Sequence, residues 1–334
     1  MSTAIFSAIE AGFIYAIMAL GVYLSFRILD FPDLTVDGSF VTGAAVASVL
    51  IINGTNPFLA SAAALLVGFA AGSITGILHT KGKINPLLSG ILMMIALYSI
   101  NLRIMGRSNV PLLQQDTIMT AMTEVWQNAG LDKAINSMIS FAGFVPRTWA
   151  IFVTMAFVVI VIKLLLDQLL KTEIGLALRA TGDNKQMVSS FSANTDWLTI
   201  FGLGLSNALV AFSGALVAQY GGFSDVGMGI GMIVIGLASV IIGEALFGAR
   251  TIARATLAVI GGAIVYRIIL ALALRVQFLE TGDVKLITAV IVIVALIVPN
   301  IVAAQKEKRS KKRKTQAQER GERVAEAQTD YKSI

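Results

Sequence analysis

The 334-residue sequence has no cysteine and one histidine, His79. Disulfides, thiolate metal sites and cysteine nucleophiles are thereby excluded, and a lone imidazole supports neither a zinc site nor a histidine relay. Charge is also scarce. Only 14% of residues are charged and 56% are hydrophobic, where soluble domains carry roughly a quarter charged residues. No phosphate-binding loop of the Gly-x-x-x-x-Gly-Lys-Ser/Thr type is present. The nearest approach, Gly76 to Lys83, spaces its glycines one residue too far apart and places Ile84 after the lysine. No paired carboxylates or Ser-His arrangement stands out, so no catalytic residue and no cofactor bound by this chain are expected. The first apolar run, from Ala4 to Phe26, lacks a basic leader and a small-residue cleavage pattern, so no cleavable signal peptide is expected.

What is present is a series of apolar runs of roughly 18 to 24 residues, the length that crosses the ~30 Å hydrocarbon core as a helix. They show no ten-residue alternation of the kind a membrane barrel requires. The expected fold is therefore all-α and polytopic. About nine transmembrane helices are expected, at 4–26, 34–52, 57–78, 86–105, 149–170, 198–218, 230–247, 255–274 and 284–302. Residues 305–334 hold ten Lys/Arg against five Asp/Glu, so five of the six net positive charges lie in this tail. Basic residues are retained on the cytoplasmic side. That rule places the tail inside together with Arg250, Arg254, Lys171, Arg179, Lys185, Lys81 and Lys83, and leaves the segment 106–148 and the N-terminus outside. The domain reading is a membrane domain, 1–304, followed by a basic cytoplasmic tail, 305–334.

A faint repeat recurs at an offset of 192 residues. Ala16, Ala19, Phe31 and Asp33 correspond to Ala208, Ala211, Phe223 and Asp225. The two copies begin on helices of opposite orientation, the inverted arrangement from which many transporters are built. Gly68, Gly72 and Gly76 form consecutive small-x-x-x-small steps that allow close helix contact, within the chain or between chains. Gly227, Gly229 and Gly231 read as glycines that loosen or pack a membrane helix. Ionisable residues inside spans are costly, and the candidates are Asp37, Glu10, Arg103 and Glu244. Glu10 and Glu244 lie near span ends, where they can touch headgroups. Asp37, within Thr35-Val36-Asp37-Gly38-Ser39, suggests a broken helix facing a passage, with Ser39 beside it. Phe31, Tyr220 and Phe223 are the aromatic candidates for stacking on a ligand in that passage.

The longest polar stretch on the cytoplasmic side is 171–197, KTEIGLALRATGDNKQMVSSFSANTDW. Asp183 to Phe191 is expected to form a short amphipathic helix capped by Asp183 or Asn184, with Gly175 and Gly182 allowing tight chain reversals around it. Met187 and Phe191 stand one helical turn apart on one face.

The run Gly175, Leu178, Arg179, Ala180, Gly182, Asp183, Asn184 and then Asn194 resembles the cytoplasmic coupling segment of ABC permeases of the branched-chain amino acid and ribose group, with Ser192-Ala193-Asn194 where that group usually has Gly-x-Asn. Phe31-Pro32-Asp33-Leu34-Thr35-Val36-Asp37-Gly38-Ser39 and the stretch 202–243 resemble permeases paired with lipoprotein receptors for tryptophan, tyrosine or other amino-acid-like ligands. The resemblance covers most of residues 10–300. It implies a type II ABC importer fold and a permease in a bacterial plasma membrane that works as a homodimer with its passage between the copies. It also implies two ATPase subunits that hold ATP and Mg, and an extracellular substrate-binding lipoprotein. Gly175, Arg179, Gly182, Asp183, Asn184, Met187, Phe191 and Asn194 would then contact the ATPase. The alternative is a secondary transporter, which would need an ion-coordinating or proton-carrying constellation in mid-membrane.

Overall fold

The computed structural model describes residues 2–132, 136, 148–190, 193–274, 286–290, 293, 294 and 297. The chain divides into two units, Met1–Ala289 and Val290–Ile334, and the first holds every element named here. The expected boundary at 304/305, the basic tail and most of the expected span 284–302 lie outside the described residues.

The helices are α1 (Ser2–Tyr23, continued by a π-helical turn Leu24–Ile28), α2 (Thr35–Ile52), α3 (Pro57–Thr80), α4 (Pro86–Met105), α5 (Ile118–Asn128) and α6 (Ala150–Lys171). After them come α7 (Glu173–Asp183), α8 (Lys185–Ser190), α9 (Thr195–Gly221), α10 (Met232–Phe247) and α11 (Ile252–Ala273). Among the described residues, α1 to α4, α6, α9 and α11 are long and apolar enough to cross a membrane. The expected span 230–247 is α10, whose 16 residues reach only about 24 Å at 1.5 Å per residue, short of the ~30 Å core.

The described residues are mostly helical, as expected, with one small addition: β1 (Asn109–Pro111) and β2 (Phe223–Asp225) form an antiparallel ribbon with Val110 opposite Ser224. Residue 110 is buried and 109 and 111 exposed, so the ribbon shows one face to the protein.

Local sequence explains the helix ends. α3 and α4 both open on Asn-Pro. The asparagine side chain of Asn56 accepts from the Phe58 N–H at 2.9 Å and that of Asn85 from the Leu87 N–H at 3.0 Å, while proline occupies a position whose N–H has no helical partner. Gly106 ends α4 at φ 65°, a left-handed conformation that suits glycine.

α9 is the centre of the molecule, packed by α1, α2 and α3. The glycine ladder of α3 faces it. A β-carbon at Gly72 would run into the Leu203 carbonyl, and one at Gly68 into Ala211, so this small-residue face serves a contact within the chain. The two hydroxyl bonds from α9 to α1, Ser206 to the Gly21 carbonyl at 2.6 Å and Ser213 to the Ile14 carbonyl at 2.8 Å, tie the two helices antiparallel. The outward faces of α3 and α6 carry exposed Leu66 and Phe157 among others, as a lipid-facing surface requires.

The loops gather at two ends. β1, β2, α5 and the start of α6 lie at one end. α7, α8, the α3–α4 turn and the α10–α11 turn lie at the other.

Candidate functional site

Two regions gather polar groups that an apolar bundle would otherwise exclude. The first is a pair of junctions buried among the helices. Between α1 and α2 the chain leaves the helix at Asp30, where φ is 50°. Asp33 then turns it back: its carboxylate accepts the Thr35 N–H at 2.9 Å and the Asn207 side-chain amide at 2.6 Å, and it has no exposed surface. Thr35 also shares a hydroxyl bond of 2.8 Å with Thr75. The helix break expected within 35–39 lies instead at 29–34, and α2 is continuous from Thr35, because the Asp33 side chain occupies the first free amide and starts the helix there.

The second junction lies between α9 and α10. Asp225 makes the same turn, accepting the Gly227 N–H at 2.8 Å. Gly229 lies so close to the Asp37 carbonyl that a β-carbon would strike it. That approach delivers the start of α10 to the Asp37 carboxylate, which accepts the Gly231 N–H at 2.9 Å and the Ile233 N–H at 2.8 Å. Asp37 thus caps a helix 194 residues further along the chain, where the free amides favour a negative charge. The glycines 227, 229 and 231 precede α10 and lie outside any helix.

Beside Asp37 is a cavity of about 380 Å³ between α2, α4 and the segment 226–230. Asn101 of α4 lines it. This residue is 1% exposed, and its side-chain amide donates to the Gly38 carbonyl at 3.2 Å while its carbonyl oxygen Oδ1 has no partner.

The second region is the polar end carrying α7 and α8. Within the expected helix from Asp183 to Phe191 lies α8, and a further helix, α7, precedes it. Asp183 closes α7, Asn184 leaves the helical conformation, and α8 begins at Lys185. Of the two caps considered, Asn184 serves, accepting the Met187 N–H at 3.0 Å. Thr172 caps α7 through the Gly175 N–H. Gly175 and Gly182 are not reversal points, since neither has a positive φ. They are close-approach positions: a β-carbon at Gly182 would strike the Ile28 carbonyl and one at Gly175 the Leu169 carbonyl. α7 is thereby seated on the π-helical end of α1 and on the end of α6.

Arg179 and Asp183 line a cleft of about 440 Å³ with Arg27, Arg250, Tyr23 and Thr251. Arg27 is held there by a two-pronged pair with Glu244, at 2.9 and 2.8 Å. Deeper in, Asp167 of α6 pairs with Lys163 and accepts the Thr256 hydroxyl at 2.6 Å, which joins α6 to α11.

A family model for the permease component of a branched-chain amino acid transport system matches residues 4–299. This chain belongs to that permease family. It is similar to a tyrosine transport system permease protein of Clostridioides difficile strain R20291, 43% identical over 307 residues, 92% of this chain and 95% of the relative. A probable branched-chain amino acid transport permease, LivH, of Methanocaldococcus jannaschii is 29% identical across 63% of this chain and 65% of its own length. The ribose import permease of Escherichia coli K12 is 34% identical over 29% of this chain and 30% of its own. No solved structure matches. The resemblance stated from the sequence holds: the chain is a multi-pass permease of an ABC-type transport system.

Within this permease the expected site residues are distributed as follows. Asp37 lines the cavity, and Ser39 is fully buried with an unpartnered hydroxyl. Phe31 is 4% exposed and meets the His79 ring edge to face, so it belongs to the interior. Tyr220 donates to Glu10, which is buried at this helix pair. Glu244 likewise is engaged with Arg27. Phe223 lies exposed on β2. At the other end Met187 is 50% exposed, Val188 is buried, and Asn194 caps α9 through the Trp197 N–H at 3.0 Å. Phe191 lies outside the described residues. Sequence reading missed Asn101 and Asn207. It searched the spans for ionisable groups only, and an amide in an apolar helix is an equally strong signal.

Proposed function

We propose that the chain is the passage-forming subunit of an ATP-driven importer for an amino acid, working as a homodimer. Two ATPase subunits, which hold ATP and Mg, dock on the end carrying α7 and α8. A substrate-binding lipoprotein docks on the end carrying the β-ribbon. The observation that carries this reading is the seating of α7. A short amphipathic helix pair, held against the ends of α1 and α6 by glycine contacts, presents Met187 to solvent, and its α7 lends Arg179 to a cleft with Arg27 and Arg250. An exposed methionine on a rigid polar end is suited to a partner's groove. Likeness to a tyrosine permease along nearly the whole chain supports an amino-acid substrate.

The permease is also proposed to be an inverted repeat, and the hydrogen bonds support this. Shifting by 192 residues carries Ile14 onto position 206 and Gly21 onto position 213. The bond between Ser206 and Gly21 thereby becomes the bond between Ile14 and Ser213. The same shift carries the Asp33–Thr35 turn onto the Asp225–Gly227 turn. In this reading a twofold axis through the α1–α9 crossing would relate these pairs. The basic residues near α7 and α8 support a cytoplasmic location for that end.

The docking assignment is tested by Met187→Ala combined with Phe191→Ala. Loss of an apolar anchor commonly costs ~2 kcal/mol, about thirtyfold in affinity. The double variant is expected to insert and dimerise normally, to lose its ATPase on purification and to stop uptake of L-tyrosine. Retention of both ATPase and uptake would overturn the assignment. Orientation is read separately by single cysteines, clean in a cysteine-free chain. Position 128 should react with an impermeant thiol reagent in intact cells and position 185 should not.

A further inference from the structure

We infer that the cavity between α2, α4 and the segment 226–230 is a binding site for a primary ammonium group carried on an apolar body. This rests on the reading of the chain as an amino-acid permease and assigns the end of the substrate that the passage recognises. The start of a helix ordinarily invites an anion. Here that role is taken, because the Asp37 carboxylate already accepts the Gly231 and Ile233 N–H groups. What faces the cavity is therefore acceptor-rich. Each carboxylate oxygen has a second lone pair free after one bond. Asn101 also lines the cavity: one of its amide N–H groups donates to the Gly38 carbonyl, and its Oδ1 is buried and without a partner.

A buried carbonyl oxygen left without a hydrogen bond is unfavourable and calls for a donor. No Lys, Arg or His lines the cavity to supply one. The group that best complements Asp37 and the Asn101 oxygen has several N–H donors and a positive charge, which describes an ammonium. Tyr98 adds a hydroxyl, and the remaining walls are apolar, with Val41, Met94, Ile95 and Ile230 among them. They accommodate a hydrocarbon or aromatic body next to the charged head. The volume of about 380 Å³ is within the range of small-molecule sites.

Two single-ended analogues of tyrosine test the assignment on the full chain in lipid nanodiscs by ligand-observed NMR. Tyramine keeps the ammonium and lacks the carboxylate; 3-(4-hydroxyphenyl)propionate is the reverse. Tyramine is expected to bind, and the propionate at least tenfold more weakly. Asn101→Leu, which removes the acceptor, should weaken tyramine at least tenfold, whereas Asn101→Asp, which keeps it, should bind within threefold of wild type. Ile230→Trp fills the cavity from an exposed position, and it should abolish binding without touching the acceptors. The inference is overturned if the propionate binds as well as tyramine, or if Asn101→Leu and Ile230→Trp both bind tyramine like wild type. ATP-driven L-tyrosine uptake in vesicles separates the two readings. Uptake by wild type with tyramine binding unmoved in both variants removes this site and keeps the permease reading. Tyramine binding lost in the variants, with no amino-acid uptake by wild type, keeps the site and removes the transport reading.

Discussion

The two junctions that return the chain into the bundle share a turn but differ in their surroundings. At the α1–α2 junction Asp33 has no exposed surface, and Asn207 and Thr35 take its carboxylate. At the α9–α10 junction Asp225 is partly exposed, holds one backbone amide, and leads into a glycine-rich stretch beside an open cavity. One turn, placed twice, is used once to fix helices and once to shape a wall. The difference lies in the partners that surround each aspartate.

The largest expected effect separates the two aspartates. Asp33→Ala strands the Thr35 N–H and one bond of Asn207 in a site that water does not reach, at a cost of about 1 to 3 kcal/mol for the unmet donors. Asp225→Ala leaves the Gly227 N–H within reach of water and should cost less than about 1 kcal/mol. Comparing the folded fraction of each variant after heating in detergent checks this ordering, and equal losses would erase the contrast. A middle-sized effect tests what the junctions have in common. Ser206→Ala and Ser213→Ala each remove one hydroxyl-to-carbonyl bond between α1 and α9. Bonds of this kind in membrane proteins average about 0.6 kcal/mol. The two losses should agree within a few tenths and add in the double variant, and a severalfold disparity would argue against the twofold relation. The smallest effect concerns the polar end. Asn184→Ala removes the cap of α8 and should lower helix stability by about 1 kcal/mol or less. Hydrogen exchange at 185–190 should rise while exchange in α7, capped by Thr172, stays unchanged.

Much of this architecture was legible. The spans follow from apolar runs of bilayer length, and the repeat showed in four residues at an offset of 192. Other features were not. Asp183-Asn184 looks like the start of a helix, and Asn184 does cap α8, but the polar run did not announce the preceding helix Glu173–Asp183 that Thr172 caps. The break near Asp37 was assigned a few residues late, because hydroxyls and glycine inside α2 look like breakers, while the actual breaker is the buried side chain of Asp33. Asn101 gave its signal in sequence, but its significance depends on a cavity that residues more than 120 positions away, Val226, Gly229 and Ile230, help to form. The β-ribbon joins two three-residue segments that carry no recognisable strand pattern.

The central place of α9 has a consequence for how the permease is made. α1, α2 and α3 all pack against a helix that begins at Thr195, so at about 5 to 20 residues per second they wait roughly 10 to 30 seconds for their shared partner to leave the ribosome. During that interval the glycine face of α3, the Asp33 carboxylate and the carbonyls of Ile14 and Gly21 lie against lipid or the insertion machinery without their final contacts. Slowing translation between α6 and α9 should lengthen that exposure, and the protease sensitivity of nascent chains arrested before and after Gly221 would reveal it.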